Sequence, residues 1–376
     1  MKQEKKVEYI ELIYDLIFVY ILGKNNELLH VIENGFIAPG TYLTYILSSL
    51  IMLQIWYYTV LFINRYGEND KIMHIGIFIN MYLLYFMGRG IRSDWQGEFY
   101  FYNIAWALIL ANLILQYYYQ LKKTEKERPW ETSQIKMNIR TFLIQIGVII
   151  IAIPIFTLTG VALTPVALLV GIVIAFQGGR VNQMIPVDFG HLTERVMLFV
   201  VFTFGEMIIG ITDYFNGGLS FSVIYFSLNG FLIVAGLFTS YELLYDRFID
   251  KELTTNGTGY MMIHVFLILA LNHITAALEF MREEEIGVLP KNIFLILSFA
   301  VYFFMLFLVM RYNKEEYKLS GKQRNIMIIE VAAFIISMLL IYRKSWVSIA
   351  ITVAFIWIAY ITLRVFILNK KTQDNL

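Results

Sequence analysis

Long apolar segments, separated by short polar ones, run through the whole chain of 376 residues. A helix that crosses a bilayer needs about 20 mostly apolar residues, and twelve segments approach or meet this length. The predicted spans are 9–29, 41–63, 71–89, 99–121, 139–158, 162–177, 195–213, 219–241, 258–278, 292–312, 325–342 and 347–368. Charged residues make up 16% of the chain, against about 25% in soluble domains. The sequence therefore predicts an all-α, polytopic transmembrane helical bundle.

The two halves of the chain carry similar residues at similar places. Arg140 recurs as Arg324 after 184 residues, and His74 recurs as His264 after 190 residues. Because each half contains six predicted spans, an even number, the two copies share one orientation and form a parallel repeat. The predicted domains are a first six-span repeat, residues 1–180, and a second six-span repeat, residues 186–376.

Basic residues predict the orientation of these spans. Cytoplasmic loops of membrane proteins carry an excess of lysine and arginine. With a cytoplasmic N-terminus, 23 of the 30 basic residues fall in inner segments and 7 in outer segments. We therefore predict a multi-pass protein of the cell membrane with both termini in the cytoplasm.

The seventh span holds the most ionisable side chains. On a helical wheel, His191, Arg195, Glu206 and Asp213 lie along one stripe, each within about 20–40° of its neighbour, and Glu194 adjoins it. Glu206 lies about 16 Å beyond Arg195, near the bilayer centre, where an ionised group is costly. The stripe is typical of an ion or solute pathway. Two alternatives stay open: Glu206 is a protonated, hydrogen-bonded packing residue, and the other members of the stripe lie at the membrane interface.

The first span carries Glu11 and Asp15, which are four residues apart and share one helical face. Two like charges at this spacing both stay ionised only beside a cation; otherwise one of the two acids is protonated. Arg65 and Arg247 are the candidates at the same predicted depth. The pair is interpreted either as a salt-bridge cluster that locks the two repeats together or as a vestibule that attracts ions.

His74 and His264 occupy matched positions in spans three and nine, as packing residues or as part of the pathway. No His-x-x-x-His pair supports a metal site, and the chain has no cysteine. Phosphate-binding loops and common hydrolase motifs are also missing. We therefore expect no metal, no cofactor and no enzyme activity, and a net charge of +1 does not suggest a nucleic-acid partner.

Three segments resemble the bacterial low temperature requirement A (LtrA) family. They are 11–19 (Glu-Leu-Ile-Tyr-Asp-Leu-Ile-Phe-Val), 191–206 (His-Leu-Thr-Glu-Arg, ending in Gly-Glu) and 56–65 (Trp-Tyr-Tyr-Thr, ending in Asn-Arg). The resemblance covers most of the chain and implies an integral membrane protein. The twice-repeated six-span unit is also similar to potassium channels built from six-span repeats. That similarity implies that spans one and seven line a central path.

The leading hypothesis is therefore conduction or transport of a small cation, a proton or another small solute through a polar seam lined by spans one and seven. In this hypothesis Glu206 binds a cation or relays a proton, Arg195 and His191 gate it, and Glu11 with Asp15 forms an inner site. The alternative is a non-transporting receptor or homeostasis protein whose buried charges are structural. An intramembrane enzyme acting on lipids would need a nucleophile or metal set that the sequence lacks. The lipid bilayer is a partner in each case, and a homo-oligomer stays open.

Overall fold

The computed structural model describes residues 5–89, 95–177, 185–212, 218, 220–341 and 344–374, with backbone alone at a few helix ends. These residues form twelve α-helices. The helices are α1 (Tyr9–Asn25), α2 (Pro39–Tyr66), α3 (Lys71–Arg89), α4 (Trp95–Glu127), α5 (Thr132–Thr159), α6 (Thr164–Gln177), α7 (Phe189–Ile211), α8 (Phe221–Leu243), α9 (Thr258–Phe280), α10 (Val288–Val309), α11 (Gly321–Leu340) and α12 (Ser345–Asp374). The all-α prediction is confirmed.

Each predicted span coincides with one of these helices, and nine of them, in the part of the chain that the structure describes, are long and apolar enough to cross a membrane. The other three are α1, α6 and α7. Helix α6 has 14 residues, a rise of about 21 Å, which is shorter than the roughly 30 Å hydrocarbon core. Helices α1 and α7 carry the buried charges described below. The number of crossings therefore stays a prediction.

Local sequence signals explain several helix ends. Ser320 and Gln323 form a capping box at the start of α11, in which Gln323 N–H donates to Ser320 Oγ (3.2 Å) and Ser320 N–H donates to Gln323 Oε1 (2.9 Å). Helix α5 ends at Gly160, whose φ of +72° is left-handed and whose N–H donates to Phe156 O. Helix α2 begins with Pro39 at its first position, where a missing N–H costs nothing.

The chain divides into two compact units. The first comprises residues 1–31, 38–199 and 251–262, and the second comprises residues 32–37, 200–250 and 263–376. This division follows spatial contacts and does not test the duplication, so the repeats 1–180 and 186–376 stay a prediction.

Helix α2 is the most buried of the candidate spans and belongs to the first unit. Its aromatic side chains pack on the neighbouring helices: Phe62 contacts Tyr117 with 4.7 Å between ring centroids, and Tyr58 contacts Phe142 with 4.8 Å. Edge-on and tilted ring pairs of this kind stabilise packed helices. Helix α2 therefore forms the interior against which α1, α4 and α5 are placed.

Amide side chains bind α6 to this interior. Gln145 Nε2 donates to Gln54 Oε1 and to Ala167 O, both at 2.8 Å, and Gln54 Nε2 donates to Leu168 O at 3.0 Å. These side chains approach the α6 backbone at Gly171, where a Cβ would overlap the Tyr58 hydroxyl. Gly171 is therefore required for this close approach.

The second unit is built from the C-terminal half of α7, from α8, α10, α11 and α12, from most of α9, and from a short hairpin. The hairpin pairs β1 (Ile32–Glu33) with β2 (Phe36–Ile37) in antiparallel register. Its two-residue loop is Asn34–Gly35, with φ values of 53° and 81°, the conformation that such a tight turn needs. Phe36 contacts Phe294 of α10 with 5.9 Å between ring centroids.

Large apolar side chains cover much of the outer surface. In α11 only 11% of an apolar 18-residue stretch is buried. Ile328, Ile329 and Leu340 are more than half exposed. An exposed apolar surface of this extent is not compatible with water. These helices therefore contact the lipid bilayer, and the protein is a multi-pass membrane protein.

Candidate functional site

Helix α1 places two carboxylates in the interior of the first unit. Glu11 and Asp15 lie one turn apart, and both residues have 0% exposure. Glu11 is the third residue of α1, and its Oε1 accepts the backbone N–H of Glu8 at 3.3 Å. The start of a helix favours a negative charge, because the first N–H groups have no partner within the helix.

Arg195 of α7 pairs with both acids. Its Nε donates to Asp15 Oδ2 (3.1 Å) and its Nη2 donates to Asp15 Oδ1 (3.0 Å), a two-pronged contact. Its Nη1 donates to Glu11 Oε2 at 2.7 Å. Arg195 also has 0% exposure. The planar guanidinium is suited to this geometry, because its donors are held in a fork that matches a carboxylate.

His191 lies one turn before Arg195 and contacts Glu11 from the other side, with 3.3 Å between Nε2 and Glu11 Oε1. Its Nδ1 lies 3.0 Å from Asn64 Nδ2. The Asn64 amide orientation follows from Asp188, whose N–H donates to Asn64 Oδ1 and whose carbonyl accepts from Nδ2, both at 2.9 Å. Because Asn64 Nδ2 is a donor, His191 Nδ1 is an acceptor. His191 Nε2, on the other side of the ring, is placed to donate to Glu11.

Two side chains of α2 complete the enclosure. Trp56 Nε1 donates to Asp15 Oδ1 at 2.9 Å, and its ring packs on Phe199 with 4.5 Å between centroids. The hydroxyl of Tyr14 lies 2.9 Å from Thr59 Oγ1. Aromatic rings next to the ion pairs exclude water, and a low local dielectric strengthens each charge interaction.

Lys5 is the second cation beside this cluster. Its Nζ donates to the carbonyl oxygens of Ile63 (2.5 Å), Asn64 (3.2 Å) and Gly67 (2.9 Å). These carbonyls lie at the C-terminal end of α2, which attracts a positive charge. Burial lowers the pKa of Lys5, and the negative charge of Glu11 opposes that shift.

Both acids of this cluster are paired. Glu11 and Asp15 share Arg195, and Lys5 lies close enough to Glu11 for their charges to interact. Each carboxylate oxygen accepts at least one hydrogen bond: Glu11 from Glu8, His191 and Arg195, and Asp15 from Trp56 and Arg195. Buried charges are stable only when paired and hydrogen-bonded in this way. A cation that joined the cluster would compete with these donors for the carboxylate oxygens.

The comparisons with known proteins now identify the family. The sequence model of the bacterial low temperature requirement A protein (LtrA) matches residues 6–362, nearly the whole chain. The chain belongs to the LtrA family. No curated protein and no solved structure matches it significantly. The similarity to six-span-repeat potassium channels therefore stays a prediction.

In this LtrA chain the structure brings together four of the predicted residues, Glu11, Asp15, His191 and Arg195. The cation that faces the two acids is Arg195, not Arg65 or Arg247 as the sequence suggested. Arg65 belongs to the same unit, but its Nε and Nη2 donate to the backbone carbonyls of Ile185 and Asn256, at 3.2 and 2.8 Å. The prediction was wrong because the position of a residue along its helix indicates its depth in the membrane. It does not indicate which side chains of different helices contact each other.

The other predicted residues lie elsewhere. Glu194 is partly exposed, and His74 pairs with the neighbouring Asn69 at 2.6 Å. His264 belongs to the second unit, where its Nε2 lies 3.1 Å from the Tyr241 hydroxyl. Glu206 also belongs to the second unit, is half-buried and interacts electrostatically with Glu279 of α9. Asp213 lies outside the described residues, so its place on the stripe stays a prediction.

Sequence reasoning did not assign roles at this site to Trp56, Asn64, Asp188 and Lys5. The signal was present in the LtrA-like segment 56–65, because Trp56, Thr59 and Asn64 each hydrogen-bond to the cluster or to its neighbour Tyr14. Asp188 also caps α7, since its Oδ1 accepts the His191 N–H at 3.1 Å. Within the described residues, no group of three acidic or histidine side chains could hold a metal ion.

Proposed function

We propose that this LtrA protein moves a proton or a small cation across the membrane, and that Glu11 and Asp15 form its exchangeable binding site. The observation that carries the proposal is the fully buried cluster in which two carboxylates share one arginine. Arg195 would act as an internal cation that occupies the site in the absence of cargo.

The proposed exchange follows from the ion pairs that Arg195 makes with Glu11 and Asp15. A proton that neutralised Glu11 or Asp15 would remove part of the attraction that holds Arg195, because a neutral acid offers a weaker acceptor. A cation that bound between the acids would repel the guanidinium directly. In both cases Arg195 would leave the carboxylates, and α7, which carries it, would move relative to α1.

The finer architecture belongs to the same proposal. We infer twelve spans in two parallel six-span repeats, with both termini in the cytoplasm and with α1 and α7 lining the path. Glu206, eleven residues beyond Arg195 on α7, would be the next carboxylate along it. Because the chain has no cysteine, single cysteines introduced at Glu27 and Glu316 would report sidedness, outer and inner respectively. The proposal is one of transport without catalysis.

Flux through purified protein in liposomes tests this function. Proton flux would be followed with an internal pH-sensitive dye, and Na⁺ and K⁺ flux with ion-sensitive dyes. Glu11→Gln and Asp15→Asn should abolish flux, because each removes a charge while preserving shape. Glu27→Gln is the matched control, since Glu27 is exposed just beyond the end of α1. Full flux in both cluster variants would refute the assignment.

A second function is favoured by the hydrogen bonds that the carboxylates of the cluster already accept. Since each carboxylate oxygen already accepts a hydrogen bond, the charges could serve only to hold α1, α2 and α7 together in a non-transporting receptor or homeostasis protein. In that case the wild-type protein would show no flux above empty liposomes. The same variants would then lower thermal stability without changing any transport rate.

A further inference from the structure

The second unit contains a cavity that the proposed function does not use. It lies among α10, α11 and α12 and has a volume of about 440 Å³. Pockets for drug-sized molecules have volumes of about 300–1,000 Å³. Its lining is apolar except for one carboxylate. The residues that matter here are Phe303, Phe304, Phe307, Ala332, Phe355 and Glu330.

Glu330 is the polar group of this cavity. It is the tenth residue of α11, about 14 Å along a 20-residue helix and therefore near its middle. Among the described residues, its hydrogen-bond partner is the Thr362 hydroxyl of α12, which donates to Oε1. None of the ion pairs in the described residues involves Glu330. An acid at this depth is costly without a counter-charge.

Aromatic rings form the walls around this acid. Phe303 and Phe355 contact each other edge-on, with 4.9 Å between centroids. Phe304 is 56% exposed, so the cavity opens toward the outer surface of the unit. The faces of aromatic rings attract cations, and the attraction grows when water is excluded.

We propose that this cavity binds hydrophobic monocations, molecules with an apolar body and a single delocalised or alkylated positive charge. The apolar lining would receive the body, the phenylalanine faces would contact the cation, and Glu330 would supply the counter-charge. A neutral hydrophobic molecule would fill the same volume but would leave the carboxylate without a counter-ion. The charge of the ligand, not its apolar area, is therefore what the site selects.

Binding of radiolabelled tetraphenylphosphonium to the full-length protein in zwitterionic nanodiscs tests the proposal, with empty nanodiscs as the background. Glu330→Gln should weaken binding by at least about tenfold, because the variant keeps the shape and loses the charge. Ala332→Phe should abolish binding by filling the cavity. Glu316→Gln is the matched control, since Glu316 is exposed before α11 and does not line this cavity.

Two further measurements separate the site from simple partitioning. Neutral triphenylphosphine oxide should not compete, and Glu11→Gln should bind tetraphenylphosphonium as the wild-type protein does. The thermal stability of each variant would be measured in parallel, so that loss of binding is not confused with unfolding. Equal binding by Glu330→Gln, or equal competition by the neutral compound, would overturn the proposal and indicate that a lipid chain occupies the cavity.

Discussion

Replacing Arg195 by glutamine should be the most destabilising single change in the buried cluster. Arg195 donates three hydrogen bonds to Glu11 and Asp15, at 2.7–3.1 Å, and all three residues have 0% exposure. Glutamine is uncharged, so the variant leaves both buried carboxylates without the arginine that pairs with them. Breaking a buried ion pair by removing one partner costs about 3–5 kcal/mol.

This loss of free energy converts to a measurable change in melting temperature. Each kcal/mol of lost unfolding free energy lowers the melting temperature by about 2–4 °C in chains of 150–250 residues, and by less in longer chains. The melting temperature of Arg195→Gln should therefore be lower than that of the wild type by an amount on the order of 5–15 °C. Thermal unfolding in detergent, followed by size-exclusion chromatography with fluorescence detection, would measure it. Lys318→Gln is the control, because Lys318 pairs with Glu315 on an exposed surface, where ion pairs contribute about 0–1 kcal/mol.

A double variant makes the test specific to charge. Arg195→Gln combined with Asp15→Asn removes one of the two carboxylates that the first change left without a counter-ion. The double variant should therefore be more stable than the sum of the single effects predicts, by a coupling of about 1–3 kcal/mol. Additive effects of the two substitutions would contradict the argument that Arg195 pairs with these acids. A decrease in melting temperature for Arg195→Gln no larger than that for Lys318→Gln would contradict it as well.

Two other predictions follow from local geometry. Gly171→Ala should lower the free energy of unfolding by about 1–3 kcal/mol, because the added methyl group overlaps the Tyr58 hydroxyl. Gly147→Ala is the control: a Cβ there would meet no atom within 4 Å, so this variant should be neutral or slightly stabilising in the same melting assay. Since burial lowers the pKa of Lys5 below 10.5, the unfolded chain binds more protons than the folded chain just below that value. The melting temperature of the wild type relative to a Lys5→Arg variant should therefore rise as the pH increases toward 10.5 from below, and a fall over that range would contradict the assignment.

Much of the architecture was predictable from local pattern. Apolar length predicted most of the twelve helices, because a segment of about 20 apolar residues has few alternatives to a helix in lipid. The spacing of Glu11 and Asp15, and of His191 and Arg195, predicted that each pair shares a helical face, since that depends only on 100° per residue. Both statements concern one helix at a time.

The partners of these residues were not predictable in the same way. The sequence offered Arg65 and Arg247 as cations for the acids of α1, and the structure pairs those acids with Arg195. Nothing in a single helix indicates that Lys5 will donate to the carbonyls at the end of α2. Such contacts depend on which faces of separate helices meet.

The sequence by itself determined that the chain is an all-helical membrane protein and which of its helices carry buried charge, because hydrophobic length and helical period are local properties. Only the tertiary structure decided that one arginine pairs with two acids, that Asn64 and Glu11 contact the two ring nitrogens of His191, and that Glu330 lines an apolar cavity. The physical reason is that the free energy of a buried charge depends on the atoms within a few ångströms of it, and those atoms come from distant parts of the chain.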